Sequence, residues 1–292
     1  MLLAVPNFSE GRDGERIEAI STAFATGAAL LDTHSDPVHN RTVLTLSGPS
    51  DSLAGALANG ARACAEAIDM RRQEGAHPCI GALDVCPVVW LADDDREAAR
   101  EEALAAARGI AAEAGVPVFL DGELASHQSH RERSFFRAGG LVELRRRLGS
   151  GELRPDFGPA ELHPSAGATL VTARAPLAAF NVELEGAEIE TAREVAGRLR
   201  ESGGGLPGVR AIGIDLGDGR TQVSINVHDP ITVPLAQVAE RVRELAADKD
   251  ARAVAAEIVG LIPEAALDGW PDDLPLPGFD PAIHVIERRV RS

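Results

Sequence analysis

The element order β-α-β-β-α-β is predicted twice along this chain, and it constrains the fold more than any other feature. In the first half, apolar runs and helical periodicity predict strands at 2–6, 28–33, 41–47 and 82–92, with helices over 13–26 and 51–70. In the second half they predict strands at 177–184, 209–216, 220–227 and 252–261, with helices over 189–201 and 235–247. A duplicated unit of this kind predicts an α+β protein with two tandem ferredoxin-like subdomains and a cleft between them.

An insertion separates the two copies. It contains a predicted helix over 94–114, a strand at 116–120 and a polar, irregular stretch at 121–137. Residues 154–167, RPDFGPAELHPSAG, are too rich in proline and glycine for regular structure. From composition alone, this stretch is either a linker or a binding loop.

The charge balance limits the partners of the chain. Its net charge of −16, from 45 acidic and 29 basic residues, argues against nucleic acid and anionic membranes. A few arginines in a cleft could still bind a small anion. The three cysteines, Cys64, Cys79 and Cys86, are few and odd in number, which is typical of reduced thiols. The sequence shows neither the pattern of a signal peptide nor an apolar run of about 18 residues that could cross a membrane. We therefore expect a soluble cytoplasmic protein.

His77 is the first candidate for chemistry. It lies between Gly75 and Gly81, and Pro78 restricts it to extended backbone, so a ligand can approach a rigid imidazole that titrates near neutral pH. The alternative is a loop histidine that caps a neighbour. Cys79 could pair with His77 as a nucleophile, and Asp84 could orient His77 or cap a turn.

Three other polar segments allow more than one interpretation. The loop from His34 to Arg41 contains two histidines, Asp36 and Arg41; its histidines and Asp36 could ligate a metal ion or simply stabilise a turn. Arg41 could bind a substrate carboxylate or form an ion pair with Asp36. His127 and His130 could also ligate a metal, although a solvated loop explains them as well, and we expect no metal. Ser9 and Asn7 either cap the first helix or belong to a binding loop.

Taken together, these segments resemble the formiminotransferase domain of the glutamate formimidoyltransferase family over nearly the whole chain. The motifs that carry the resemblance are VPNFSEGR at 5–12, LLD at 30–32, HNRTV at 39–43, IDM at 68–70, HP…GALDVCP at 77–87, PDFGP at 155–159, SAGAT at 165–169, AFN at 179–181, QVS.N at 222–226 and VGLIP at 259–263.

The resemblance implies a fold, a reaction and a site. It implies two ferredoxin-like subdomains, at 1–176 and 177–292, in a homodimer. The implied reaction moves a formimino group from N-formimidoyl-L-glutamate to N5 of tetrahydrofolate, a co-substrate. His77 is the implied acid–base catalyst. The implied folate-binding residues are Gly158, Pro159, Ala160, Glu161, Leu162, His163, Pro164, Ser165, Ala166 and Gly167.

Both substrates carry carboxylates, so Arg12, Arg41 and Arg174 are candidates to bind them. The chain departs from the family at Cys79, where arginine is usual; either another cation, with Arg174 or Arg72 as the candidates, compensates for that lost charge, or the donor is not N-formimidoylglutamate. One alternative function is a related folate-dependent formyl- or formimino-transferase with a different donor. Another is a non-catalytic folate-binding protein on the same fold.

Overall fold

The computed structural model describes residues 1–49, 51–217 and 219–290. The chain divides into two compact units, Met1–Ala175 and Pro176–Ser292. Each unit has sheets, helices and a buried apolar core of its own, so the predicted α+β class with two subdomains is confirmed.

The first unit is built on one mixed sheet. Its strands are β1 (Leu2–Ala4), β2 (Asn7–Phe8), β3 (Ala29–Asp36), β4 (Arg41–Gly48), β5 (Leu83–Trp90), β6 (Val118–Leu120) and β7 (Thr169–Arg174). Its helices are α1 (Gly14–Phe24), α2 (Leu53–Ala67), α3 (Arg96–Ala114), α4 (Arg133–Arg137) and α5 (Gly140–Gly149). β4 pairs antiparallel with β3, β1 and β2, and β5 pairs antiparallel with β1 and β2. β7 then extends the sheet, because it pairs in parallel with both β5 and β6.

Small residues let the helices of this unit pack closely. Asp13 caps α1 by accepting a hydrogen bond from the Arg16 amide at 3.1 Å. The Phe24 ring of α1 lies against Gly60 of α2, where a Cβ atom would be 2.1 Å from the ring. The buried face of α3 is mostly alanine, which permits the same close contact with α2.

The second unit shows the predicted order β-α-β-β-α-β. Its strands are β8 (Ala178–Glu185), β9 (Val209–Gly217), β10 (Arg220–Val227) and β11 (Arg252–Ile258). Its helices are α6 (Ile189–Leu199), α7 (Leu235–Ala247), α8 (Pro281–His284) and α9 (Ile286–Arg289). The antiparallel sheet has the order β11-β8-β10-β9, and Val223, Ile225 and Val227 of β10 are buried in its core as their alternation predicts.

The structure also shows elements that the sequence did not predict. β7, α4 and α5 lie in stretches where we predicted no regular element, and β3 continues through Asp36 into the predicted polar loop. Among the described helices, none has the length and apolar character needed to cross a membrane.

Candidate active site

Asn40 holds together the three segments that surround His77. It has a positive φ of 48°, a conformation that asparagine tolerates better than most residues. Its side-chain oxygen accepts a hydrogen bond from the Gly11 amide at 2.9 Å, and its amide nitrogen donates to the Glu74 carbonyl at 3.0 Å. The loop after β3, the segment after β2 and the loop before His77 are therefore fixed relative to each other.

Glycine is required where these segments touch. A Cβ atom at Gly11 would lie 2.2 Å from the Asp36 carbonyl oxygen, and one at Gly75 would lie 2.3 Å from that of His39. Ser9 donates its hydroxyl to the Gly81 carbonyl at 2.8 Å. The interpretation of Ser9 or Asn7 as the cap of α1 is wrong, because Asp13 is that cap.

The His77 ring is hydrogen-bonded to an arginine. The Nη1 atom of Arg41 lies 3.1 Å from Nε2 of His77. Because a guanidinium can only donate, Nε2 accepts and the proton of the neutral ring is on Nδ1. Nδ1 is buried and has no hydrogen-bond partner among the described residues. The predicted alternative, an ion pair of Arg41 with Asp36, is not formed; Asp36 lies 3.3 Å from Nδ1 of His39 instead.

The surroundings of His77 keep it uncharged. Burial lowers the pKa of His77 well below its usual value, and the positive charges of Arg41 and Arg137 lower it further, with a smaller effect from His39. The rings of His39 and His77 are 5.8 Å apart between centroids. His77 is only half-buried as a residue, so a ligand can reach it. A histidine in this state can accept a proton at neutral pH and, once protonated, is a strong acid.

Two further arginines, which the sequence alone did not single out, act on this region: Arg137 acts on both Arg41 and His77, and Arg133 acts on Arg41. Arg137 of α4 forms a close ion pair with Asp84 of β5, and Arg133, one helical turn earlier, forms one with Asp121 at 3.1 Å. Their i, i+4 spacing places both on one face of α4, a signal that is in the sequence but is uninformative until the helix is known. Arg137 thus supplies a cation near His77.

Arg41 and Arg174, two of the predicted carboxylate holders, lie in this basic region. Burial is the main cause that lowers the pKa of Arg41 to about 10 and that of Arg174 to about 9. The charge of Arg133 also lowers the pKa of Arg174, whereas Asp121 opposes the shift. Arg12 has a different environment, because its side chain is exposed and donates to the Pro37 carbonyl at 2.8 Å.

Asp84 and Cys79 have structural environments. The Asp84 carboxylate accepts a hydrogen bond from the Ile80 amide at 2.7 Å, so it caps the turn before β5 as one interpretation predicted.

Burial, together with the negative charge of Asp84, raises the pKa of the Cys79 thiol to about 11. The nucleophile interpretation is therefore disfavoured, because the thiol stays protonated at neutral pH. The cations that act on Cys79 are Arg137 and Arg41; Arg72, one of the two predicted substitutes, is exposed.

The histidine pairs make contacts of their own. The rings of His127 and His130 lie 5.4 Å apart between centroids, and His130 packs on Phe135 and Phe136. In residues 1–49, 51–217 and 219–290, no group of three His, Cys, Asp or Glu side chains is arranged to hold a metal ion.

The predicted folate loop is attached to the strand that follows His77. The Ala82 amide donates to the Ala166 carbonyl at 2.8 Å, and the Ala168 amide donates to the Ile80 carbonyl at 2.9 Å. Between these bonds, a Cβ atom at Gly81 would lie 1.9 Å from the Ala168 carbonyl oxygen. The first four residues of the loop, 158–161, are exposed, while its end, 166–167, is buried. The end of the loop is therefore fixed near the histidine segment.

A neutral, reachable histidine that is hydrogen-bonded to one arginine and lies near a second is typical of an enzyme that transfers protons on a small anionic substrate. Two family profiles cover most of the chain: the formiminotransferase domain, N-terminal subdomain, matches residues 1–174, and the formiminotransferase domain matches residues 179–269. The chain belongs to the formiminotransferase family.

Relatives from three organisms show how far the similarity extends. The chain is 36% identical over 293 residues to the glutamate formimidoyltransferase of Thermoplasma acidophilum, covering 99% of this chain and 96% of the relative. It is 36% identical to the glutamate formimidoyltransferase of Streptococcus pyogenes serotype M1, covering 90% and 89%. It is 42% identical to the formimidoyltransferase-cyclodeaminase of Sus scrofa, of which it spans 50%.

Proposed function

We propose that this protein is a formimidoyltransferase that moves a formimino group from N-formimidoyl-L-glutamate to N5 of tetrahydrofolate. The observation that carries the proposal is the neutral, reachable imidazole of His77, hydrogen-bonded to Arg41 and near the charge of Arg137. The relatives named glutamate formimidoyltransferase, which match this chain over nearly its whole length, support the same reaction.

His77 would serve the reaction twice. It first takes the proton that N5 loses when N5 attacks the formimino carbon, and it then returns that proton to the departing glutamate nitrogen. The products are 5-formimidoyltetrahydrofolate and glutamate, and the proton count balances. Nε2 is the atom that accepts, since Nδ1 already carries hydrogen; the Arg41 guanidinium must therefore turn away first.

Binding of a donor carboxylate would favour the movement of Arg41 away from His77. A carboxylate accepts two parallel hydrogen bonds from a guanidinium and is a better partner than a neutral imidazole. We propose that Arg41 and Arg174 hold carboxylates of the substrates, since both are half-buried and neither forms an ion pair within the described residues. Arg12 is proposed for a more exposed carboxylate.

We assign tetrahydrofolate, as co-substrate, to residues 158–167, the loop predicted from the sequence. The exposed residues 158–161 offer contacts to a flat ring system, while the buried end fixes the loop near His77. Residues 1–176 and 177–292 are proposed as the two formiminotransferase subdomains, which the profile matches at 1–174 and 179–269 support. We further propose a metal-independent reaction by a cytoplasmic homodimer.

The test is a turnover assay with tetrahydrofolate and a panel of donors: N-formimidoyl-L-glutamate, N-formimidoyl-L-aspartate, N-formimidoylglycine and N-formyl-L-glutamate. We expect the highest kcat/KM for N-formimidoyl-L-glutamate. A higher kcat/KM for another donor would change the substrate assignment, and no transfer from any of them would reject the proposal.

A further inference from the structure

Four arginines on separate parts of the first unit form two similar pairs. The first pair joins Arg41, at the start of β4, to Arg137, which is bound to Asp84. The second pair joins Arg174, at the end of β7, to Arg133, which is bound to Asp121. In each pair, one arginine is neutralised by an aspartate and the other forms no ion pair within the described part of the chain.

The two pairs have hydrogen-bond donors to spare. The Nε atoms of Arg137 and Arg174 are buried, and neither has an acceptor among the described residues. Arg41 donates to a neutral imidazole, and Arg174 donates to the Ala175 carbonyl at 3.0 Å. A largely desolvated guanidinium without a carboxylate is unfavourable, so scaffolding alone does not explain Arg41 and Arg174.

The charge count indicates what the pairs would bind. Four guanidinium groups and two carboxylates, Asp84 and Asp121, leave a surplus of two positive charges. Asp36 also acts on Arg41 but forms no ion pair with a guanidinium of these pairs, because its carboxylate contacts the amides of Val38 and His39 and the His39 ring. The surplus suits a ligand with two carboxylates, and it occurs in a chain whose net charge is −16.

We propose that Arg133 and Arg137 complete a binding subsite for a small dicarboxylate, with one carboxylate between Arg41 and Arg137 and the other between Arg133 and Arg174. Identifying that dicarboxylate as the formimino donor rests on the function proposed above. The arrangement would place the donor beside His77, because the Arg41 guanidinium that would turn to the first carboxylate starts 3.1 Å from Nε2 of the imidazole. Arg133 and Arg137 would then determine which donors are used.

Single substitutions cannot test this cleanly, because Asp84 or Asp121 would be left buried without a counter-ion. We therefore pair Arg137→Gln with Asp84→Asn, and Arg133→Gln with Asp121→Asn. Each double variant keeps the local net charge and allows a side-chain amide pair, while it removes the guanidinium. An Asn at position 84 can still accept from the Ile80 amide. Arg131→Gln is the matched control, because Arg131 is an exposed arginine two residues before Arg133.

Titration calorimetry with L-glutamate as the probe gives the direct measurement. We expect each double variant to weaken L-glutamate binding by about 10–100-fold, the value of a charge-assisted hydrogen bond, while Arg131→Gln leaves it unchanged. In turnover, KM for N-formimidoyl-L-glutamate should rise in the double variants, and KM for tetrahydrofolate should not.

Different results separate this inference from the proposed function. Wild-type affinity for L-glutamate in both double variants would show that Arg133 and Arg137 are only counter-ions, and would overturn the inference even if the enzyme is active. No detectable binding of L-glutamate to the wild-type protein would overturn it as well. Binding that depends on Arg137 and Arg133, without turnover of N-formimidoyl-L-glutamate, would uphold the subsite and reject the proposed reaction.

Discussion

Gly81→Ala is expected to destabilise the first unit strongly, because the chain that follows His77 and the proposed folate loop are in direct backbone contact there. The new Cβ atom would lie 1.9 Å from the Ala168 carbonyl oxygen, whereas real Cβ atoms stay at least 3.0 Å away. The two segments must therefore separate by about 1 Å, which a close-packed interior does not absorb freely. That movement strains the hydrogen bonds from the Ala82 and Ala168 amides, of 2.8 and 2.9 Å.

The magnitude follows from those two bonds. Each contributes about 1 kcal/mol net, and each buried group left unpaired costs about 1–3 kcal/mol, so we expect a loss of about 2–4 kcal/mol in the free energy of unfolding. For a unit of this size the melting temperature should fall by about 4–16 °C.

The assay is thermal unfolding of the full chain, with Gly55→Ala as the matched control. Gly55 lies in α2, where an added Cβ atom would have no neighbouring atom within 4 Å, so alanine there should stabilise by about 0.4–1 kcal/mol. A melting temperature for Gly81→Ala equal to that of the wild type would refute the reasoning, since it would mean that the close contact is absent.

Two further predictions concern the charges around His77. Arg41→Met removes a positive charge that lowers the pKa of His77, so this pKa should rise towards 6.5 and the acid limb of the pH profile of kcat/KM should move to higher pH. The control Arg72→Met, at an exposed position, should leave that acid limb in place. An acid limb at the same pH in Arg41→Met and the wild type would contradict the electrostatic account. Cys79, with a pKa of about 11, should be about 0.1% thiolate at pH 8. It should therefore react with iodoacetamide about 100-fold more slowly than a free cysteine, which is checked by quantitative labelling of the protein before and after denaturation.

Local patterns in the sequence were sufficient for the β-α-β-β-α-β part of the second unit, although they did not predict α8 and α9. The alternation in β10 and the helical periodicity of α6 and α7 are local properties, and they predict the order that the structure shows. β7 was missed because the residues it pairs with lie 51 positions away in β6 (Val118 with Thr169) and 85 positions away in β5 (Val85 with Leu170), and neither pairing is visible in a local window. The short helix α4 was missed because it follows a polar stretch without a clear cap.

The site was predictable only in part, for a related reason. His77 is marked by its flanking Gly and Pro residues, and Arg41 by its place before an apolar strand. Their hydrogen bond joins positions 36 residues apart, and the ion pair of Arg137 with Asp84 joins positions 53 apart. Such contacts depend on the tertiary fold, so the roles of Arg133 and Arg137 became visible only in the structure.

The central claim is that His77 moves the proton during transfer, and the kcat of His77→Ala tests it most directly. With tetrahydrofolate and N-formimidoyl-L-glutamate, we predict a fall in kcat of about 10²–10⁴-fold at unchanged melting temperature, with partial recovery when imidazole is added to the buffer. A kcat for His77→Ala within about threefold of the wild-type value, at unchanged melting temperature, would contradict the account.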